Sequence, residues 1–306
     1  MTNTVFITGS SSGFGKSTVA AFHAVGWNVV ATMRESSIED FRAVGNRDTN
    51  RMLVIPLDVT DSEATAASLQ TAAAHFGGVD ALVNVAGFGM FQPFETTTAE
   101  DVRLLFSTNC FGPMTLMRQV IPHLRMRGGG TIVNVTAGSA IVPEPLMAAY
   151  NASKAALDNL SETIRYEVAP QGISVRVVEP GFVPTTGFVQ RILETAATRE
   201  IPDVYQDYVN QRMASFEAVT DRPLASSADV AQVILEAATD DSRRLRYAVG
   251  GDQAERTHMR HSTSEPEYDE WAWAQFGPSA SSAALDPAAV AGPVRRRSTR
   301  DVADIR

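Results

Sequence analysis

Thr8-Gly9-Ser10-Ser11-Ser12-Gly13-Phe14-Gly15 follows directly on the β-prone run Thr4–Ile7 and leads into Lys16–Val25, which reads as a helix. Glycines between a strand and a helix let the backbone turn sharply and approach a pyrophosphate closely. The helix N-terminus then offers free N–H groups and a positive dipole end to the phosphates. Gly15-Lys16-Ser17 imitates the end of a nucleoside-triphosphate loop, but that motif needs its first glycine at position 10, which is Ser10. The pattern Gly-x-Gly-x-x-Gly fails as well, because Thr18 stands where the third glycine belongs. The spacing present is Gly-x-x-x-Gly-x-Gly.

Working outward, strand-length apolar runs recur at Trp27–Met33, Arg51–Val59, Val79–Val85, Thr131–Thr136, Ile173–Val178 and Arg246–Val249. Helical stretches separate them at Asp61–Phe76, Ala99–Arg127 and Tyr150–Val168. Strands that are apolar on both faces and alternate with helices predict an α/β fold. The expected form is a three-layer, doubly wound parallel sheet of Rossmann type, about seven strands with helices on both faces. Residues 1–275 read as one domain. The segment 188–221, of mixed polarity, reads as a substrate-lid insertion over the carboxyl ends of the strands, where such sheets bind ligands. Residues 276–306, rich in Ala, Ser and Pro, read as a solvated, disordered tail. Its basic cluster Arg295, Arg296 and Arg297 admits a second reading, a docking segment for an acidic partner.

Bulk composition narrows the function. The 306 residues carry a formal charge of −9, with 44% hydrophobic and 20% charged residues. That is an ordinary globular composition. Its sign argues against a nucleic-acid partner, which demands a basic face. The single cysteine, Cys110, permits no internal disulfide and fits a reducing compartment. No signal-peptide pattern precedes Thr4, and no apolar run approaches the ~18 residues of a membrane span. A cytoplasmic protein with a small-molecule substrate and no membrane partner is expected.

The ordered set of motifs resembles the short-chain dehydrogenase/reductase family. The glycine turn preceded by Thr8 is its first member. Asp58-Val59 ends the third strand, where the family contacts adenine. Asn84-Val85-Ala86-Gly87 ends the fourth and is similar to the family's Asn-Asn-Ala-Gly, with Val85 in place of the second Asn. Asn109 falls at the family's catalytic Asn, Tyr150-Asn151-Ala152-Ser153-Lys154 matches Tyr-x-x-x-Lys, and Pro180-Gly181 with Thr185 matches Pro-Gly-x-x-x-Thr. The set spans residues 4 to about 185. Thr32-Met33-Arg34 and Val178-Glu179-Pro180-Gly181 look most like the steroid and retinol dehydrogenase branch.

The resemblance implies a nicotinamide cofactor held by Gly9, Ser11, Ser12, Gly13, Phe14, Gly15, Asp58, Val59, Asn84, Ala86, Gly87, Pro180, Gly181, Val183 and Thr185, with Tyr150 and Lys154 at its reactive end. The second strand ends Ala31-Thr32-Met33-Arg34 without an acid. An acid there would hold the ribose hydroxyls of NAD and repel a 2′-phosphate. Arg34 instead offers a planar cationic fork to that phosphate. NADP(H) is therefore expected over NAD(H). The family also implies pairing into a homodimer or homotetramer through the helices that start near Ala99 and Tyr150.

Tyr150 and Lys154 are four apart and share one helix face. A nearby ammonium favours a phenolate and lowers a pKa ordinarily near 10. The pair then exchanges a proton with a carbonyl or alcohol oxygen while the nicotinamide exchanges hydride. By the resemblance, Lys154 also holds the nicotinamide ribose, and Asn109 fixes a water on the proton path. One departure stands out. The family serine that hydrogen-bonds the substrate oxygen lies thirteen residues before the tyrosine, and that position is Ala137. Loss of such a donor costs roughly 3 kcal/mol, on the order of a hundredfold in rate. Three accounts stay open. Ser139 supplies the hydroxyl, the favoured one, with Thr136 pointing the other way. The protein works slowly or without the clamp. Or the alanine is an introduced change.

Other residues carry weaker signals. Phe88, Met90, Phe91, Pro143, Pro145, Leu146 and Met147 flank the motifs and predict an apolar pocket. Cys110 reads as a buried structural thiol, and His258 and His261, lacking further ligands nearby, as exposed histidines with no metal role. The expected activity is NADP(H)-dependent interconversion of a carbonyl and an alcohol on a fairly apolar small molecule. The alternative, prompted by Ala137, is a protein of the same fold with lost or altered redox chemistry: a non-redox enzyme, or an NADP-binding sensor or scaffold.

Overall fold

The computed structural model describes residues 2–44, 49–183, 186–188, 191–192, 199–219 and 224–278. The tail from 279 onward and Thr185 lie outside them. Seven parallel strands form one sheet in the order β3-β2-β1-β4-β5-β6-β7. They are β1 (Thr4–Ile7), β2 (Asn28–Met33), β3 (Met52–Pro56), β4 (Ala81–Asn84), β5 (Gly130–Val135), β6 (Ile173–Pro180) and β7 (Arg246–Val249).

Strand alternation builds two cores from one sheet. Val5, Ile7, Val29, Ala31, Val133 and Val135 face helices α1 (Gly13–Ala24) and α2 (Ile38–Ala43), together with Val230 and Ile234 further along the chain. Phe6, Val30, Leu82 and Ile132 face α3 (Ser62–Phe76) and a second pair of long helices on the opposite side. The inner strands are thus covered on both faces, which is why the sequence shows apolar runs and not polar alternation there, while the edge strand β7 leaves Ala248 exposed.

The chain winds outward from β1 to β3, then crosses back to place β4 on the other side of β1. That reversal opens a crevice at the carboxyl ends of β1 and β4, the place where doubly wound sheets bind ligands. The glycine turn sits at its rim. Helix α1 begins at Gly13, a turn earlier than the sequence pattern suggests, so Gly13 and Gly15 lie in its first turn.

The single helix expected over Ala99–Arg127 is three pieces: α4 (Ala99–Phe106), a π-helical turn (Ser107–Phe111) and α5 (Gly112–Arg127). Two causes combine. Pro113 has no N–H to give the carbonyl of Asn109 four residues back. The Asn109 side chain is also pulled out of the helix surface by tertiary bonds to Phe88 and Ser153. Beyond these come α6 (Ala148–Val168), α7 (Asp203–Val219), α8 (Ser227–Thr239), α9 (Gly251–Ser262) and α10 (Glu265–Phe276). Among the described residues, no helix is long and apolar enough to cross a membrane.

Candidate active site

The glycine-turn end of the crevice is shaped by backbone. Gly9 has φ +68, a left-handed conformation, and a Cβ there would meet the Ala86 backbone at 2.8 Å. A Cβ on Gly15 would overlap the carbonyl of Gly9. Both positions therefore require glycine. Thr8 ties this turn to β4, accepting from the N–H groups of Val85 (3.0 Å) and Ala86 (3.1 Å). Ser12 caps α1 in an extended conformation with no side-chain bond to the helix, which leaves the first-turn N–H groups facing the crevice.

From there a continuous cleft of about 590 Å³ runs across the sheet ends. It is lined by Gly9, Ser11, Ser12, Gly13, Phe14 and Gly15, by Arg34, Asp58 and Val59, by Ala86 and Gly87, and by Pro180, Gly181 and Val183. Arg34 is exposed at the rim, and Glu35 does not line the cleft. Tyr150, Lys154 and Ser139 line the other end. These residues, far apart in sequence, share one wall.

Two expected contacts are placed differently. Asn84 does not line the cleft. Its amide donates to Asn134 Oδ1 at 2.8 Å, and Asn134 donates in turn to Ser161 Oγ at 2.8 Å, so Asn84 braces β4 against β5 beneath the floor. Asn109 is fully buried and outside the cleft wall. It accepts from the Phe88 N–H (3.1 Å) and donates to the Phe88 carbonyl (2.9 Å) and Ser153 Oγ (3.0 Å). Both N–H donors of its side chain and one lone pair of Oδ1 thereby hold the Phe88 loop and α6, and the second lone pair of Oδ1 is left over.

Tyr150 and Lys154 emerge on one face of α6 and are both buried. Lys154 Nζ donates to the Val135 carbonyl at 2.9 Å, which fixes it at the end of β5. A Cβ on Gly87 would stand 3.2 Å from that Nζ and 3.1 Å from Asn109 Oδ1, so Gly87, Lys154 and Asn109 converge on one point. Burial lowers the Lys154 ammonium pKa to about 8, partly offset by the Cys110 sulfur. Burial also pushes the Tyr150 phenol above its ordinary value. The expected lowering of the tyrosine by lysine is therefore not present in this state, because desolvation of the phenolate dominates. Cys110 is a buried free thiol, raised by burial, as suits a structural role.

Around Tyr150 lies a third apolar cluster of Met90, Phe91, Leu105, Ala137, Met147, Ile192 and Val209, with Phe88, Leu146, Phe188, Tyr205, Met213 and Phe216 packed on it. The segment 188–221 thus brings Phe188, Ile192 and α7 over the tyrosine; the Phe188 and Tyr150 rings lie 5.5 Å apart. Pro143 departs from the expected pocket and is exposed. Leu146 takes a left-handed φ of 63 and is pinned by the Gln92 N–H on its carbonyl at 2.7 Å.

Ala137 faces this cluster and presents no hydroxyl. Thr136 turns its hydroxyl to the Val178 carbonyl at 3.4 Å. Ser139 follows in a short turn with Oγ buried and unpartnered. Sequence reasoning missed the contribution of α9. Gln253 and Arg256 line the cleft, and Arg256 pairs with Glu144, also on the wall. Only the polar character of α9 hinted at it. His258 and His261 on the same helix are exposed, and no group of three metal-binding side chains occurs among the described residues.

Comparison with known proteins adds to this geometry. A family model described as short chain dehydrogenase matches residues 3–197. The chain is 31% identical over 248 residues to the uncharacterized oxidoreductase YusZ of Bacillus subtilis, covering 80% of this chain and 88% of that protein. A short-chain dehydrogenase from Streptomyces avermitilis shares 32% identity and a TM-score of 0.73, covering 89% of this chain and 96% of that one. At 24% identity and a TM-score of 0.71, a short chain dehydrogenase/reductase from Burkholderia phymatum in complex with NAD shares the fold, covering 85% of this chain and 93% of that one.

Proposed function

The chain belongs to the short-chain dehydrogenase family, and from that premise we propose that it is an NADP(H)-dependent oxidoreductase interconverting a carbonyl and an alcohol on a fairly apolar small molecule. The observation that carries this reading is the shared wall that holds Tyr150 and Lys154 at one end of a cleft and a glycine-lined helix N-terminus at the other. The residues present fit a dinucleotide, since the glycines at 9, 13 and 15 line the cleft without side chains and the α1 N-terminus carries no side-chain cap. The preference for NADP over NAD rests on this chain's own Arg34 at the rim of the cleft, with no acid at the last positions of β2 and with Glu35 outside the lining.

When bound, the cofactor supplies or takes up hydride at the carbonyl carbon. Tyr150 donates its phenolic proton to the oxygen during reduction and takes it back during oxidation. The buried Lys154 ammonium, tied to Val135, steadies the charge left on the phenol oxygen and orients the ribose side of the cleft. Asn109 holds the loop and helix that set this geometry. Ser139 offers its hydroxyl to the same wall. The aromatic and Met side chains of the third cluster exclude water and accept an apolar substrate.

The second reading, a cofactor-binding protein without redox turnover, is favoured by Ala137 alone. A panel of 2-octanone, acetophenone, decanal and benzaldehyde with NADPH separates the two. Oxidation of NADPH on adding a carbonyl supports the reductase. Tight NADPH binding with no oxidation by any of them contradicts it.

A further inference from the structure

We propose that Gln253 supplies the substrate-oxygen hydrogen bond of this pocket, on the wall where Ala137 has no hydroxyl to offer. The inference rests on the oxidoreductase reading and adds a residue to it.

Gln253 stands on the first turn of α9 and is fully buried, yet it lines the cleft together with Ala137, Gly138, Ser139 and Tyr150. Its Nε2 donates to Thr257 Oγ1 at 3.0 Å, while its Oε1 has no hydrogen-bond partner. A buried amide oxygen left unpaired is costly, so native structures seldom keep one without use. The side chain is packed directly over Gly138, next in sequence to Ala137. Even a methyl group at 138 would overlap Gln253 Oε1. Glycine at 138 is therefore what admits the amide to the place beside the missing hydroxyl.

The chemistry fits both sides of the reaction. A carbonyl oxygen accepts a hydrogen bond, and the alcohol formed from it also donates one. A serine hydroxyl serves both, and so does a carboxamide that can present either end. The Thr257 hydroxyl both donates and accepts, so it anchors the Gln253 amide with N–H or with C=O turned to the pocket. Ser139 Oγ, also buried and unpartnered, shares this wall. It has no second residue to orient it, whereas Gln253 is held at one end by Thr257.

The experiment uses the NADPH-loaded protein and the four-carbonyl panel. Turnover, equilibrium binding of each carbonyl, NADPH affinity and melting temperature are measured for the parent, Gln253→Met, Ser139→Ala, Ala137→Ser and the Gln253→Met/Ala137→Ser pair. Methionine keeps the volume and removes the hydrogen bond. Gln253→Met is expected to lose on the order of a hundredfold in kcat/KM, more than Ser139→Ala, with NADPH affinity kept. The added Ala137→Ser is expected to restore most of that loss, which a merely structural role for Gln253 would not allow. A Gln253→Met protein within about twofold of the parent overturns the inference, as does a loss that serine at 137 leaves unrepaired. Either outcome leaves carbonyl reduction standing. If the parent oxidises no NADPH, reduction falls, and carbonyl binding decides the inference. Binding weakened in Gln253→Met supports it; binding unchanged, or none in the parent, overturns it.

Discussion

Tyr150 and Lys154 sit in surroundings that push against both their charged forms. Lys154 is held near 8 by burial, well below the ordinary lysine value, so its ammonium is lost within the working range of many assays. During reduction that ammonium supports the proton donor, so kcat/KM for a ketone at saturating NADPH falls as pH rises through about 8. A profile that stays flat to about pH 10 would show that the lysine charge is not needed. At the other end of the cleft, Arg34→Ala is expected to weaken NADPH by roughly tenfold or more and to leave NADH nearly unchanged. Equal effects on the two cofactors, measured by fluorescence titration, would end the NADP assignment. The spacing of Tyr150 and Lys154 and the glycines at 9, 13 and 15 were legible because helix geometry and backbone sterics act locally. Gln253 was not legible, because it gains its meaning only by folding back onto Gly138, far earlier in the chain.

The elements follow from local pattern except where tertiary bonds override it. Apolar residues recur at helical spacing from Ala99 to Arg127, so the sequence reads as one helix. The π-helical break at Ser107–Phe111 comes from Pro113 and from three bonds made by Asn109 across the fold. Asn109→Leu removes those bonds while keeping the volume. It is expected to lower the melting temperature by several degrees and to cut turnover, since the Phe88 loop and Ser153 lose their common anchor. Unchanged stability and turnover would mean that the break holds without it. The apolar runs Arg51–Val59 and Val79–Val85 extend past the strands they contain, because Asp58, Val59 and Val85 are cleft residues beyond the ladder. The same apolar character suits a strand and the loop that follows it.

At the scale of the molecule, strand alternation with helices was enough to predict the layers, while the order β3-β2-β1-β4-β5-β6-β7 places the crevice and required the structure. The far edge of that sheet carries a buried charge. Glu179 on β6 is buried beside Asp158, with Arg246 Nε at 3.2 Å but not aligned for a hydrogen bond. Burial, then the Asp158 carboxylate, raise Glu179 to about 7, against the pull of Arg246. An acid raised on folding favours the native state at low pH, and that contribution fades as pH climbs from its unfolded value of about 4.3 through about 7. The protein should therefore lose a few degrees of melting temperature between about pH 5 and pH 8, and Glu179→Gln should not. Parallel curves for the two proteins would contradict this. The central claim, that this cleft moves hydride with Tyr150 as the proton carrier, is tested most directly by following NADPH oxidation by the carbonyl panel in the parent protein and in Tyr150→Phe. Turnover is expected in the parent, with a loss on the order of a thousandfold or more in the variant and NADPH still bound. Turnover that survives in Tyr150→Phe would contradict it.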